Sequence, residues 1–358
     1  MFESDEPHMS RRYTTMVVAA LALVALSCVA FLVPVPYVTL RPGPVFNTLG
    51  EFNDKPMIAF GDDVTTYPTS GTLDFTTVSV SRADTKIPLA MAVVAFFDKK
   101  NAVVPRSLVY PENQSQKESS TESAVQLSGS KESSQAAALR AAGYEVTEHP
   151  GVASVVKDGP SVGKLVAGDI VLSVDGEKTR GAESVAILIR KHKPGEATRL
   201  TVRRDGLERA VKIKTIADPK DKSIARIGIG IGQKFEFPIE IINNVGNEIG
   251  GPSAGTMFAL AIYDKLTPGK LANGKHIAGT GEIDGAGVVG SIGGVRQKMA
   301  GAAADDTQIF LVPDANCEEA ADGDDFGMTL VRIKTLDNAI DSLEALADNP
   351  KANVPTCN

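Results

Sequence analysis

The chain has 358 residues, 43% of them hydrophobic, which allows two or three domains with packed cores. Its formal net charge of −7 provides no basic footprint for nucleic acid, and its 5% aromatic content, without tryptophan, disfavours a platform for stacking bases. We therefore expect no nucleic-acid partner. The three cysteines show no metal-ligand spacing, and we expect no metal and no cofactor. Cys28 lies in an apolar run, which leaves Cys317 and Cys357 as the one pair available for a disulfide, although we expect free or buried thiols.

The apolar run near the N-terminus predicts a membrane-spanning helix. A helix from Met16 to Val33 is about 27 Å long, close to the thickness of the hydrocarbon core of a bilayer. Arg11 and Arg12 precede it, so we expect the N-terminus in the cytoplasm and the rest of the chain outside. A cleavable signal peptide is the alternative, but Val33-Pro-Val-Pro36 stands where its small-residue cleavage site would be. We therefore expect a retained single-pass anchor.

The region between this run and residue 145 has mixed signals. Tyr37–Gly50 is rich in proline and glycine and is predicted to be an extended neck, whereas Gly71–Val80 has the β-branched residues of a strand. Ile87–Phe97 is a second apolar run. The polar residues 112–132 form either a loop or the start of a helix that Ser133–Ala142 completes.

The region from Gly151 to Ile216 has an order of elements of its own. It predicts strands Val152–Val156 and Asp169–Val174, helix Glu183–Lys191, and strands Thr198–Arg203 and Glu208–Lys214. This order, with SVGKLVAGDIVLSVDG at its centre, resembles a PDZ domain of the kind found in bacterial proteases. The resemblance implies that an extended peptide pairs with a sheet edge beside the helix. No clear Gly-Leu-Gly-Phe-type carboxylate loop is present; Gly143-Tyr-Glu-Val146 is the candidate, and a spacer or gate remains the alternative role.

A serine follows this region at the predicted start of a helix. Phe235–Ile242 is expected to be the strand that leads into the serine loop. Pro252 is favoured at a first helical position, and Ser253–Leu266 has the length and apolar content of a buried helix. The Ser253 hydroxyl would then lie among unpaired backbone N–H groups, which would stabilise a developing oxyanion.

A lysine follows on a second predicted helix. A glycine-punctuated strand, His276–Ile283, precedes this helix, which begins near Gly294-Val295 and carries Lys298. A lone lysine on a helix is usually a solvated charge. Here the small and apolar neighbours predict a partly buried face, and burial favours the neutral amine.

These residues together resemble the proteolytic domain of Lon-type serine proteases. The matching segments are GPSAG around the serine, AGTGEID with a following VG-IGG, and GGVRQKMAGA around the lysine, within about residues 227–345. The resemblance implies a Ser–Lys dyad without histidine, in which Ser253 is the nucleophile and Lys298 the general base. It also implies that Thr280 hydrogen-bonds the lysine, and it suggests a homo-oligomer, a hexamer in the family.

Three other motifs give weaker alternatives. Gly251-Pro-Ser-Ala-Gly255 fits the nucleophile elbow of α/β-hydrolases, but His276 follows too closely to leave room for the intervening elements. Residues 285–290 read as G-x-G-x-x-G, yet two further glycines stand where a cofactor-binding helix should begin. Residues 159–165 nearly fit a P-loop but lack its spacing and its Ser or Thr. We therefore identify no ATPase, and the resemblance to Lon-type proteases does not extend to energy-dependent unfolding of folded substrates.

The sequence predicts an α+β fold in which a PDZ domain is inserted into a Lon-type proteolytic domain, preceded by one transmembrane helix. Late strands at Ile309–Val312 and Leu330–Ile333, a closing helix at Leu336–Ala347 and a frayed end at Pro350–Asn358 complete it. The expected boundaries are a cytoplasmic tip at 1–15, the anchor at 16–36, a neck and first proteolytic part at 37–145, the PDZ domain at 146–218, the dyad-bearing part at 219–348 and a tail at 349–358.

The expected function is a membrane-anchored, ATPase-lacking serine endopeptidase that cuts extracytoplasmic proteins or peptides, with the PDZ domain presenting or gating them. The expected location is the cell membrane, with the catalytic body outside the cytoplasm. The alternative is a peptide-binding membrane scaffold whose protease-like domain is inactive.

Overall fold

The structure is a computed structural model that describes residues 11–82, 84–110, 115–246 and 249–357. The helices in these ranges are α1 (Arg11–Leu32), α2 (Leu89–Phe97), α3 (Arg106–Val109), α4 (Gln116–Ala141), α5 (Ala182–Arg190), α6 (Gly255–Leu266), α7 (Val295–Ala303), α8 (Cys317–Ala321) and α9 (Leu336–Asp348), with a 3-10 turn at Asp314–Asn316. The strands are β1 (Pro34–Val35), β2 (Tyr37–Asn47), β3 (Glu51–Phe52), β4 (Lys55–Pro56), β5 (Ile58–Phe60), β6 (Thr72–Val80), β7 (Ile87–Pro88), β8 (Ala102–Pro105), β9 (Thr147–Val155), β10 (Ile170–Val174), β11 (Glu177–Lys178), β12 (Ala197–Arg204), β13 (Leu207–Lys214), β14 (Ile216–Ala217), β15 (Ala225–Arg226), β16 (Ile229–Glu236), β17 (Ile241–Asn243), β18 (His276–Gly279), β19 (Glu282–Ile283), β20 (Val289–Gly290), β21 (Ile309–Pro313) and β22 (Thr329–Ile333).

The chain divides into two compact units. The first takes its described residues from Met1–Ala59, Thr66–Ser134 and Asn243–Asn358, and the second from Phe60–Thr65 and Gln135–Ile242. The second unit is therefore an insertion in the sequence of the first, which is built from both sides of it. This confirms the predicted α+β fold with an internal inserted domain.

The first unit is built on a six-stranded sheet with the order β22-β21-β18-β6-β2-β8. β6, β18, β21 and β22 are parallel to one another, while β2 runs antiparallel to β6 and to β8. All five residues of β21 are buried, as expected for a parallel strand covered on both faces. Most of Tyr37–Gly50, expected to be an extended neck, is thus the strand β2 inside this sheet, because its apolar residues pack on both faces: Phe46 stacks on Phe75, and Val45 lies beside Gly301 of α7.

The second unit has a sheet with the order β13-β12-β10-β9-β16, and α5 packs against it. Its core consists of aliphatic side chains from the strands and the helix, including Val152, Val171, Val185, Leu200 and Ile213. The strands and the helix expected between residues 151 and 216 are all present, with ends that differ by a few residues.

The strand expected at Phe235–Ile242 is divided between two elements: Phe235 and Glu236 end β16, and Ile241 and Ile242 begin β17. β16 pairs antiparallel with β9, from Ile229 opposite Val155 to Glu236 opposite Thr147. Ile229 and Ile231 pack against the core of the second unit, which holds the strand there. Only the short β17 immediately precedes the serine region, and the expected PDZ boundary at residue 218 falls before β16.

The C-terminal residues up to Cys357 pack against the first unit, whereas we expected a frayed end. Cys317 and Cys357 form a disulfide across 40 residues of sequence, so the expectation of free thiols was wrong. The Cys357 N–H donates to the Leu330 carbonyl at 3.2 Å, and Thr356 bridges to Val331. Folding brings the tail beside β22, a proximity that the spacing of the cysteines alone does not reveal.

The N-terminal helix α1 is longer than the apolar run and begins at Arg11. Within the described residues it is the one helix that is long and apolar enough to cross a membrane, and none of its residues is buried. Residues 1–10 of the expected cytoplasmic tip lie outside the described residues.

The polar residues after 112 form a helix, one of the two alternatives left by the sequence. Ser115 caps α4: its hydroxyl accepts from the Glu118 N–H at 3.2 Å, and the Glu118 carboxylate accepts from the Ser115 N–H at 2.8 Å. This reciprocal capping box is a sequence signal that could have decided between helix and loop. Residues 111–114 lie outside the described part of the chain.

Candidate active site

Ser253 lies in the turn immediately before α6, whose first residue is Gly255. The helix therefore begins two residues later than predicted. The Ser253 carbonyl accepts from the Gly281 N–H at 2.9 Å and from the Thr280 hydroxyl at 3.1 Å. These two hydrogen bonds attach the serine turn to the segment that follows β18.

Gly255 allows the start of α6 to pack closely against Ser130 and Ile283, because it has no side chain. A Cβ at Gly255 would lie 2.7 Å from the Ser130 Oγ and 2.9 Å from the Ile283 Cγ2, so a larger residue does not fit without displacement. The Ser130 hydroxyl also donates to the Pro252 carbonyl at 2.8 Å. Helix α4 therefore supports the serine turn through Ser130.

Thr280 is the first residue after β18, and it is fully buried. Its N–H donates to the Leu311 carbonyl of β21 at 3.3 Å, which continues the sheet by one residue. Because the single proton of its hydroxyl is donated to the Ser253 carbonyl, the Thr280 oxygen is left to accept a hydrogen bond from elsewhere.

Lys298 supplies that donor. It lies on α7, which begins after Gly294 in the left-handed conformation (φ 70°), and only 3% of its surface is exposed. The Nζ atom lies 2.8 Å from the Thr280 Oγ1 and 2.8 Å from the Ser253 Oγ. The three residues predicted to form the site are therefore brought together by two helices and a strand end.

Burial sets the protonation state of this lysine. Loss of water around the ammonium lowers the pKa of Lys298 from 10.5 to about 7, and the carboxylate of Glu282 opposes that shift. In the neutral amine, one N–H can donate to Thr280 while the lone pair accepts from the Ser253 hydroxyl. The arrangement therefore suits a base that removes the serine proton near neutral pH.

Two backbone N–H groups are available beside the serine. Within the described part of the chain, the N–H groups of Ser253 and Ala254 donate no hydrogen bond. Both precede α6, where the helix dipole adds positive potential. Unpaired N–H groups at a helix N-terminus can stabilise an oxyanion, so these two are the candidate donors for one that forms next to the Ser253 Oγ.

A cleft of about 520 Å³ opens onto the Ser253 and Lys298 side chains. Its walls include Phe46 and Ile249 together with the second half of β6, Thr76–Val80. The last residue of β18, Gly279, pairs with Phe75 of β6. In the described residues, Thr76–Val80 therefore have a strand partner only on the β2 side of β6. The cleft thus presents a free strand edge next to the serine.

The histidine that the hydrolase alternative requires and the G-x-G-x-x-G segment do not contribute to this cluster. His276 is exposed at the start of β18, four residues and about 13 Å of extended chain before Thr280, so it cannot replace the lysine. Residues 285–290 form the turn and second strand of the β19–β20 hairpin. In the part of the chain that the structure describes, no three His, Cys, Asp or Glu side chains gather where they could hold a metal ion.

The second unit offers a different kind of site. β16 is the last strand of its sheet, and α5 contacts it, so an open strand edge lies beside a helix. The run Arg226-Ile-Gly-Ile-Gly230 leads into this edge, with Gly228 at φ 69°. The candidate loop at Gly143 was wrong, because it ends α4 and precedes β9, an internal strand paired on both sides. Sequence reasoning missed residues 226–230 because they were assigned to the other domain.

Two sequence profiles match the chain. The profile of the Lon protease (S16) C-terminal proteolytic domain matches residues 246–344, and the profile of the PDZ domain matches residues 125–215. Lon protease 2 of Bacillus subtilis (strain 168) is 26% identical over 198 residues, which is 55% of this chain and 33% of that protein. The chain thus spans about a third of the length of this relative.

Among solved structures, the chain has similarity to PDZ domains. Those of SdrC-like proteins from Listeria monocytogenes and Listeria innocua are 26% and 27% identical, and each covers 23% of this chain. The matches cover 86% and 92% of those chains, both with a TM-score of 0.22.

Proposed function

Because the chain carries a Lon-like protease domain and a PDZ domain, we propose that this protein is a serine endopeptidase with a Ser253–Lys298 dyad. The observation that carries this proposal is the buried Lys298 Nζ, 2.8 Å from both the Ser253 Oγ and the Thr280 Oγ1. A lysine with a pKa of about 7 has a large neutral fraction at physiological pH, which a base requires.

In the first half of the reaction, the Ser253 Oγ attacks the scissile carbonyl while its proton passes to the neutral Lys298 amine. The carbonyl oxygen becomes an oxyanion that the Ser253 and Ala254 N–H groups stabilise. Lys298, now an ammonium, donates its proton to the departing amine as the C–N bond breaks. An acyl-enzyme remains, and the lysine is neutral again.

In the second half, Lys298 removes a proton from water as the water oxygen attacks the acyl carbon. The same proton then returns to the Ser253 Oγ when the ester bond breaks, which releases the carboxylic acid. Thr280 takes no proton in either step. It holds the amine by accepting one N–H while its own proton is donated to the Ser253 carbonyl.

The free edge of β6 supplies a means of holding the substrate. An extended peptide that pairs with residues 76–80 would run past the Ser253 hydroxyl along the cleft. Pairing through main-chain groups accepts many side chains, as an endopeptidase requires. The open edge of β16 offers the same kind of contact in the second unit, where we place peptide presentation or gating.

The proposed location follows from α1. Arg11 and Arg12 at its start support an N-terminus in the cytoplasm, with α1 as the membrane anchor and the catalytic body outside. Protease added to intact cells should then degrade the body and spare only the N-terminal end. Protection of the whole chain would reverse the orientation, and recovery of a form that starts near residue 37 would indicate a cleaved signal peptide.

Covalent labelling tests the proposed chemistry. A fluorophosphonate probe should modify the full-length protein at Ser253, and the Ser253→Ala variant should lose both the label and the hydrolysis of a fluorogenic peptide. A folded wild-type protein that takes no label and cuts no peptide would support the inactive scaffold instead.

Peptide binding by the second unit is tested on a catalytically silent background. In Ser253→Ala protein, Ile187→Glu on the half-exposed face of α5 should weaken binding of a fluorescent peptide. Leu207→Glu, at an exposed hairpin position of the same unit, is the matched control and should leave binding unchanged. Equal binding by both variants would leave the domain as a spacer or a gate.

A further inference from the structure

Helix α2 displays an apolar surface that has no partner within the described part of the chain. Its nine residues carry six large apolar side chains that are exposed: Leu89, Met91, Val93, Val94, Phe96 and Phe97. Val94, Phe96 and Phe97 are 71%, 72% and 79% exposed, whereas only the small Ala92 and Ala95 are buried. A contiguous patch of this kind usually marks a surface that another apolar body covers.

The position of α2 indicates what that body is. The Leu89 N–H donates to the Val33 carbonyl at 3.2 Å, immediately after the end of α1. The two residues that follow Val33 form β1, which pairs antiparallel with β7, the strand leading into α2. The two helices also contact each other. The apolar surface is therefore fixed at the end of the helix proposed to span the membrane.

The length of α2 excludes a second crossing. Nine residues extend for about 14 Å, half of a hydrocarbon core. Short apolar helices of this kind lie in the interface between lipid headgroups and acyl chains, and basic residues beside them favour anionic lipids. Lys86 precedes α2, and Lys99 and Lys100 follow it. Lys99 and Lys100 share a cavity with Asp322, Asp324 and Asp325, whose negative charges offset theirs. The attraction of α2 to the lipid interface therefore depends mainly on its apolar face.

We propose that α2 is inserted in the lipid interface and forms a second membrane attachment of the first unit. This inference rests on the proposed role of α1 as a membrane span. With two attachments joined by the β1–β7 pair, the first unit cannot rotate freely about the axis of α1. The dyad is then held at a defined height and orientation above the bilayer.

Depth-dependent fluorescence quenching in full-length protein tests this directly. An environment-sensitive dye is attached to native Cys28 within α1, or to Val94→Cys in a Cys28→Ser background, with Cys317–Cys357 left oxidised. Val288→Cys in the same background is the control, because Val288 is exposed in the first unit and bridges to Thr335 before α9, not to α1, α2 or the strands that join them. The proteins are reconstituted into phosphatidylcholine–phosphatidylglycerol vesicles that contain doxyl lipids.

The expected result is about twofold or stronger quenching at position 94, strongest with a shallow doxyl group, as an interfacial helix requires. Quenching at Cys28 should be strongest with a deeper doxyl group, and Val288→Cys should not respond. Quenching at Cys28 without quenching at position 94 would overturn this inference and leave the membrane span intact. Absence of quenching at both positions would overturn the span and this inference with it.

A second copy of this chain is the other body that could cover α2. In that case, position 94 would be shielded from aqueous iodide but not quenched by lipid, and the shielding would depend on protein concentration. That result would also overturn the inference. Phe97→Glu supplies an independent check: it should reduce lipid quenching at Leu89→Cys about twofold, while Val125→Glu, at an exposed site on α4, should not. Unchanged quenching in Phe97→Glu would count against insertion.

Discussion

Two lysines of the first unit, Lys265 and Lys298, have lowered pKa values, but their amines face different kinds of hydrogen-bond partner. Burial lowers the pKa of Lys265 as it does that of Lys298, and the neighbouring Asp264 opposes the shift. The Lys265 Nζ donates to the Ile58 carbonyl at 3.0 Å, and a carbonyl can only accept. The Lys298 Nζ faces two hydroxyls, and the hydroxyl of Ser253 can donate a proton to it.

This difference indicates that burial alone does not make a lysine a base. Desolvation makes the neutral amine available, but the amine must also face a group whose proton it can take. Lys265 has a structural role, since it joins α6 to β5, whereas Lys298 meets both conditions. The predictions below test this distinction, in order of decreasing expected effect.

The largest effect is expected when the base is replaced by a group that cannot lose its proton. Lys298→Arg and Ser253→Ala should each lower kcat/KM by about 10³-fold or more, because an arginine stays protonated at any usable pH. Lys265→Arg is the matched control and should stay within about threefold, because a guanidinium can still donate to a carbonyl. Initial rates on a fluorogenic peptide, with circular dichroism to verify folding, measure both. Comparable losses at the two lysines would remove the distinction between them.

Removal of the threonine hydroxyl should have the next largest effect. Thr280→Ala deletes the acceptor that orients Lys298 and should lower kcat by about 10- to 100-fold, with little change in KM. Thr280→Ser keeps a hydroxyl and should recover most of that loss. An alanine variant as active as the wild type would mean that the lysine is positioned by its helix alone.

The pH dependence of kcat/KM should follow the neutral fraction of Lys298. Because the pKa is lowered from 10.5 to about 7, the rate should rise about tenfold per unit below pH 7 and level off above it. Glu282→Gln removes the charge that opposes the shift, so the inflection should move to lower pH. Glu240→Gln, with an exposed carboxylate in the second unit, is the control and should leave the inflection in place. A profile that inflects near 10 would indicate an ordinary lysine.

The smallest effect on activity is expected at the disulfide, which supports the lysine helix without contacting the dyad. Cys317 and Cys357 pack in the same apolar cluster as Val295 and Met299 of α7. Closing a loop across 40 residues stabilises the fold by about 4 kcal/mol in the chain-entropy description. Cys357→Ala should therefore lower the Tm while kcat/KM at 25 °C stays within about twofold. A large loss of activity in folded protein would show that the tail positions Lys298.

Much of this organisation could be read from local sequence patterns. The apolar run after Arg12, the strand and helix order between residues 151 and 216, and the parallel strand at Ile309–Pro313 each have a characteristic periodicity or composition. The identity of the three site residues came from motifs around Ser253 and Lys298. The expectations that failed at Phe235–Ile242, at the Gly143 loop and at the tail concerned which elements lie together rather than what each element is.

Local patterns along the chain were enough to predict the type of most elements and to nominate the residues of the proposed dyad, because both depend on neighbours within a few positions. Only the tertiary structure decided that a serine and a lysine 45 residues apart lie 2.8 Å from each other, and that β16 completes the inserted sheet. It also decided that α2 remains uncovered at the end of α1. Such outcomes depend on packing between elements that are distant in the chain, and local periodicity carries no information about that packing.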